Sequence, residues 1–260
     1  MKLAGEVALV TGSGRGIGKA IAMLLAQSGA KVAVNDVDSQ SALATCRALC
    51  EDGFPAIAVP GDVNDPKAVD ELVQNTLDEF HSIDILVNNA AAPADFVPFE
   101  CSTLQIQAGE LTTLVGTLHC TRSVLPGMIE NRRGRIISIT SISGRYGQPS
   151  RAIYSAAKAG MTQFSKALSA EVGQYGITVN CVSPGATDSP RFLARSEEFR
   201  DEHRKLISLG RFIQPEEVAQ AVLFLASDMA NAITGTVIDV DGGSGGFIPE
   251  RGRAGKGNTQ

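Results

Sequence analysis

The 260-residue sequence predicts an α/β fold: a doubly wound parallel sheet of about seven strands in a single domain. Three observations carry that expectation. Short apolar, β-rich runs alternate with segments whose apolar residues recur at helical spacing. No linker interrupts the alternation, and 43% hydrophobic residues suffice to bury one large core. The residues best suited to chemistry fall just past the predicted strands, where open α/β sheets bind their ligands.

The first run, Val7–Val10, stops at Thr11-Gly12-Ser13-Gly14-Arg15-Gly16-Ile17-Gly18, after which Ile17, Ala20, Ile21, Leu24 and Leu25 repeat at helical spacing. That order reads strand, turn, helix. Glycines let a backbone turn sharply and approach a ligand, while the free N–H groups that open a helix favour an anion such as pyrophosphate. Gly12, Ser13, Arg15, Gly16, Ile17 and Gly18 are therefore the loop's candidate cofactor contacts. The spacing differs from G-x-G-x-x-G, and a glycine turn without a ligand would read the same in isolation.

A second strand, Lys31–Asn35, ends at Asp36. A carboxylate at this place can accept hydrogen bonds from a ribose diol and repels a 2′-phosphate, which favours NAD over NADP. Arg15 argues the other way, since a guanidinium pairs with phosphate. Asp36 could instead cap the next helix, a role open also to Asp38 and Ser39. Further strands are predicted near residues 56–59, 84–87, 134–140, 177–182 and 236–240, with helices between them. Past their ends stand Asp62-Val63, Asn88-Asn89-Ala90, Ser141 and Pro184-Gly185.

A helix predicted over 151–174 puts Tyr154 and Lys158 four residues apart on one face. A nearby cation favours a phenolate, which suits proton exchange with an alcohol or carbonyl, and Ser141 could hydrogen-bond the same oxygen. A surface tyrosine beside a solvated lysine has the same spacing, so the surrounding motifs decide.

The net charge of −5 supplies no basic field for nucleic acid, and no apolar run approaches the length that spans a bilayer. The N-terminus enters a strand without a secretory pattern, so a cytoplasmic protein is expected. Five cysteines without metal-ligand spacing fit reduced thiols, Cys46 and Cys50 packing on one helix. His81, His119 and His203 share no spacing with them, and no metal is expected.

Together these residues resemble the short-chain dehydrogenase/reductase family, in order and from Val7 to Gly243: the glycine loop, Asp62, Asn88-Asn89-Ala90, Ser141, Tyr154, Lys158 and Pro184-Gly185. The resemblance implies a Rossmann-like domain over residues 1–246, a nicotinamide cofactor, and interconversion of secondary alcohols and ketones, with a homotetramer as the assembly. Tyr154 would be the general acid/base, Ser141 would orient the substrate oxygen, and Lys158 would bind the nicotinamide ribose and lower the tyrosine's pKa. Asp62 and Val63 would contact adenine, Asn89 its ribose side, and Pro184, Gly185, Thr187 and Ser189 the nicotinamide. Two positions depart from the family. Ala91 stands where glycine is usual, beside the cofactor. Thr113 falls where the family has a catalytic asparagine that holds a water in the proton relay, and a threonine hydroxyl is shorter.

The variable substrate lid would lie over 189–209, where Arg191, Phe192, Arg195, Phe199, His203 and Arg204 mix aromatic and basic character; an ordinary amphipathic helix would look alike. Phe96, Val97 and Phe99 suit a pocket wall or plain packing. A Gly-rich basic tail, 247–260, is expected to be mobile or at a subunit interface. The reading is an NAD-dependent alcohol dehydrogenase or ketone reductase acting on a small molecule. The alternatives are an NADPH-dependent 3-oxoacyl-type reductase and a noncatalytic NAD-binding regulatory protein.

Overall fold

Each predicted apolar run forms a strand: Val7–Val10 (β1), Lys31–Val34 (β2), Ala56–Ala58 (β3), Ile85–Asn88 (β4), Gly134–Ile139 (β5), Ile177–Pro184 (β6) and Val237–Val240 (β7). The helices are Gly16–Gln27 (α1), Ser39–Glu51 (α2), Pro66–Phe80 (α3), Leu104–Glu130 (α4), Ser143–Tyr146 (α5), Ala152–Val172 (α6), Pro190–Leu193 (α7), Glu197–Arg204 (α8) and Pro215–Ala226 (α9). The structure, a computed structural model, describes residues 3–92 and 96–244; the side chains of residues 190 and 191, and with them Arg191, lie outside the described residues, as does the 247–260 tail.

The strands pair in parallel in the order β3-β2-β1-β4-β5-β6-β7, so strand order reverses between β1 and β4. Parallel strands need crossover helices, and these cover both faces. Alternation along each strand separates the two cores: Val10, Val32 and Val34 pack with Ile21, Leu25, Leu49 and Val222 of α1, α2 and α9. Leu9, Leu86 and Ile136 pack with Leu72, Val124, Met128 and Leu168 of α3, α4 and α6. Among the described residues no helix is long and apolar enough to cross a membrane, and no cluster of side chains could hold a metal ion.

The boundaries differ from the predicted ones where side chains compete for the backbone. β2 stops before Asn35, whose amide donates to the carbonyls of Val59 and Gly61 at 3.0 and 3.1 Å. β6 runs on to Pro184, opposite Val240 of β7, so Pro184 closes the strand and does not follow it. α6 ends at Val172 and tightens into a 3₁₀ turn, Gly173–Tyr175, within the span predicted as helix.

Asn180 ties β6 to the segment that leads into β7. Fully buried, it donates from Nδ2 to the Ile233 carbonyl at 2.9 Å and accepts at Oδ1 from the Thr236 N–H at 3.1 Å. Asn180→Ala orphans both backbone groups, an expected cost of about 2–3 kcal/mol, or roughly 4–12 °C in the thermal midpoint of a domain this size. Calorimetry showing an unchanged midpoint would contradict this role.

Candidate active site

At the strand-order reversal the chain builds its crevice from a short set of hydrogen bonds. Thr11 Oγ1 donates to the Val87 carbonyl at 3.2 Å and accepts the N–H groups of Asn89 and Ala90, both at 3.0 Å. Asn89 answers by donating from Nδ2 to the carbonyls of Thr11 and Gly12, both at 2.9 Å. The glycine loop after β1 is thereby fixed to the end of β4. A Cβ on Gly18 would stand 2.2 Å from the Gly12 carbonyl oxygen, and one on Gly12 would meet Ala90 Cα at 2.8 Å. Only glycine permits that closeness.

Above this clamp opens a cavity of about 1140 Å³. That exceeds the roughly 300–1,000 Å³ of sites for a drug-sized ligand, leaving room for a dinucleotide and a substrate together. Gly12, Arg15, Ile17, Gly18, Asp36, Asp62, Val63, Asn89 and Ala91 line one part; Ser141, Tyr154, Lys158, Thr113, Pro184, Gly185, Thr187 and Ser189 line the other. Two loop candidates fall outside. The Ser13 hydroxyl is wholly buried and donates to the Val10 carbonyl at 2.7 Å, and Gly16 faces a groove between α1 and α9.

The nucleotide half fits a dinucleotide on the structure's own terms. Arg15, at the N-cap of α1, makes no side-chain cap hydrogen bond, and the first turn carries no acidic residue. The positive helix end is thus left for a phosphate anion. Asp36 does not cap α2; Asp38 does, accepting from the Gln40 N–H at 3.1 Å. The Asp36 carboxylate instead accepts from the N–H groups of Gly14 and Asp38, at 3.0 and 3.1 Å, and shows its remaining lone pairs to the cavity. Asp62 accepts from Asn64, and the Val63 carbonyl lies 3.2 Å from His119 Nδ1. Asn89 lines the cavity, but its amide N–H groups are committed to the loop.

On α6, Lys158 is 2% exposed and its Nζ donates to the Ile139 carbonyl at 2.7 Å. Burial pushes the ammonium below the usual lysine range, and the Tyr154 charge opposes that fall. The ammonium lies 5.8 Å from the centroid of the Tyr154 ring. Ser141 Oγ accepts the Ser143 N–H at 3.2 Å, which turns the hydroxyl at the end of β5 toward the cavity. Thr113 is 3% exposed, and its Oγ1 accepts the Ala92 N–H at 3.2 Å. Away from the site, burial pushes the Cys46 thiol up to about 11 and the Cys120 thiol up to about 12. The described cysteines are all free.

The lid region satisfies both readings of its pattern. One face of α8 is solvent-borne ion pairing, Glu197 with Arg200 and Arg204, and Arg204 with Asp201. The other turns Phe199 and His203, 4.0 Å apart by ring centroid, into the cavity, where they meet Phe96 and Phe192 at centroid distances of 5.7–6.3 Å. Arg195 lines the cavity, whereas Arg204 does not. Of the predicted wall, Phe96 takes part; Val97 and Phe99 do not, Phe99 being exposed on a 3₁₀ turn. The sequence reading missed Arg151, which lies one helical turn before Tyr154 with its guanidinium 4.0 Å from that ring's centroid. The i, i+3 spacing was the signal that could have found it.

Comparison with known proteins agrees along nearly the whole chain. A family profile described as "Enoyl-(Acyl carrier protein) reductase" matches residues 12–245. A 3-oxoacyl-[acyl-carrier-protein] reductase of Synechocystis is 44% identical over 245 residues, covering 93% of this chain and 97% of its own length. One from Chlamydia trachomatis is 40% identical, with coverage of 93% and 98%. The crystal structure of a 3-oxoacyl-[acyl-carrier protein] reductase from Brucella melitensis superposes with a TM-score of 0.88 at 32% identity, covering 92% of this chain and 91% of that one. By motif order, sheet topology and these matches, the chain belongs to the short-chain dehydrogenase/reductase family, the oxidoreductases of nicotinamide nucleotides.

Proposed function

We propose that this protein reduces a ketone by hydride transfer from a nicotinamide nucleotide, with 3-oxoacyl thioesters as the substrate class and NAD(H) as the nucleotide. The observation that carries the reaction is that Tyr154, Ser141 and Lys158 share one cavity with the uncapped N-terminus of α1. The names of the relatives at 44% and 40% identity support the acyl class more than a simple secondary alcohol. Two hydroxyls lining one cavity suit a developing oxyanion, which favours carbonyl reduction over the enoyl reduction for which the profile is named.

Bound in the cavity, the nucleotide would supply the hydride. The chain's residues would handle the rest. Tyr154 Oη would give its proton to the substrate oxygen, and the Ser141 hydroxyl would donate a hydrogen bond to the same atom. Lys158 would favour the phenolate left behind, its ammonium held by the Ile139 carbonyl and not by the side chain at position 113. On that ground Thr113 is compatible with turnover. A noncatalytic nucleotide-binding protein is the reading that Thr113 alone would support.

Asp36 supports NAD(H), because its carboxylate would meet a 2′-phosphate in the same part of the cavity. Arg15, exposed on that wall, is the observation in favour of NADPH. We place the protein in the cytoplasm on the strength of its free thiols, and assign residues 1–246 to the catalytic domain. Homotetramer formation is supported by exposed Leu111, Val115 and Leu118 on one face of α4, and sedimentation velocity would count the subunits.

Nicotinamide absorbance with an acetoacetyl thioester and a panel of ketones and alcohols, run with NADH and NADPH in parallel, tests the reading. Turnover of the thioester with NADH is expected, and Asp36→Ala is expected to shift the preference toward NADPH by about tenfold, the equivalent of ~1.4 kcal/mol. A wild-type preference for NADPH that Asp36→Ala leaves alone would refute the nucleotide assignment; nucleotide binding without turnover would move weight to the noncatalytic reading.

Lys158 gives a separate prediction. Because burial lowers its pKa, the folded chain binds fewer protons here than the unfolded chain, whose lysine titrates near ~10.4. The penalty on folding is full below the folded pKa and fades as pH rises from that value to the unfolded one. Lys158→Met is therefore expected to abolish turnover yet raise the thermal midpoint, with the gain largest at neutral pH and shrinking in alkali. A lowered midpoint at neutral pH would refute the assigned penalty.

A further inference from the structure

Arg151 enters neither the nucleotide half of the cavity nor the hydride-transfer residues, yet it is the cation nearest the phenol ring. Its guanidinium carbon lies 4.0 Å from the centroid of Tyr154 and 4.9 Å from that of Phe96, between the two rings. Nη1 is 3.4 Å from Gln148 Oε1, which also accepts the Ser143 hydroxyl at 2.8 Å. Ser150, immediately before it, holds a left-handed φ of 60°, and its carbonyl accepts the Val97 N–H at 2.8 Å. Such a conformation is strained for serine and persists only where its surroundings enforce it. Three segments thus aim one side chain at Tyr154.

We propose that Arg151 is a positioning residue for Tyr154, a second cation stacked on the phenol whose charge favours the phenolate and sets the pH at which the site exchanges its proton. The inference rests on the reading of Tyr154 as the acid/base. Phenolate charge spreads into the ring, so a cation over the ring face interacts more strongly with phenolate than with phenol. Lys158, at 5.8 Å, is a second cation beside the ring, and Lys166, two turns further along α6, does not line the cavity. From neighbouring elements, Tyr146 of α5 and Arg195 and His203 of the lid line the same cavity, while Cys181 of β6 acts on Lys158. Glu110 of α4 is buried outside the cavity wall, and β5 contributes no charged group to that wall. Asp36 and Asp62 lie over β2 and β3. Arg151 also disfavours the Lys158 ammonium, so Tyr154 and Lys158 titrate as a coupled pair in the field of a permanent cation.

Ultraviolet difference titration of tyrosinate tests this without requiring turnover. The protein has three tyrosines, and Tyr154→Phe identifies the Tyr154 step against Tyr146 and Tyr175. Arg151→Gln is expected to raise the Tyr154 midpoint by about half to one pH unit, and to move the pH limb of kcat by the same amount with KM little changed. Arg151→Lys, which keeps the charge, is expected to move both by less. An unchanged midpoint in Arg151→Gln, or equal shifts in both variants, would overturn the proposal; so would a raised KM with an unmoved pH limb, which would make Arg151 a substrate contact. A shifted phenol in a protein without turnover would leave this inference standing while the proposed reaction fell.

Discussion

The hydrogen bonds joining Thr11 and Asn89 are the constraint on which the site depends. β1 and β4 are neighbours in the sheet, but their crossovers leave on opposite faces, so the chain parts at their ends and opens a crevice. Left alone, such a gap would expose unpaired backbone groups at the C-terminal edge. Thr11 and Asn89 satisfy four of them and in doing so pull the glycine loop against β4. The loop's closeness then dictates Gly12 and Gly18, and the position of the loop dictates where α1 starts. An anion site and the floor of the cavity follow from the same few bonds.

The other half of the cavity is organised by positive charge under restricted solvation. A buried ammonium has few compensations: Lys158 has one carbonyl and the tyrosine ring nearby. A fold optimised for stability alone would place an apolar residue there. Keeping a cation under Tyr154 makes sense where a negative charge develops on the phenol during the reaction. Aromatic rings from the lid line the same space, and an apolar wall strengthens each of these interactions.

Sequence patterning revealed the architecture because each layer has its own period: continuous apolar runs for strands buried on both faces, helical spacing for the covering helices. Strand ends were less legible, since Asn35 leaves β2 for carbonyls beyond β3, a choice made by tertiary contacts. Tyr154, Lys158, Ser141 and Asp36 were legible because helix periodicity or a strand end fixes where each points. That the Ser13 side chain turns inward and Gly16 borders the groove between α1 and α9 was not legible, because the inward or outward sense of a tight loop depends on dihedral angles that composition does not encode. Arg151 stands at i, i+3 to Tyr154, but Phe96, the ring on its other side, comes from a segment whose approach no local pattern announces. In the lid, amphipathic patterning and a cavity wall proved to be the same fact seen from two sides.

In the proposed reaction the phenol of Tyr154 would carry the proton while the rest of the cavity would bind the nucleotide. Paired measurement of NADH affinity and thioester reduction in Tyr154→Phe tests it most directly, because the substitution removes one oxygen and leaves the ring stacked under Arg151. Affinity within a few-fold of wild type and turnover reduced by about 10²–10⁴ are expected. Turnover within tenfold of wild type would contradict it and move the proton to another group in the cavity.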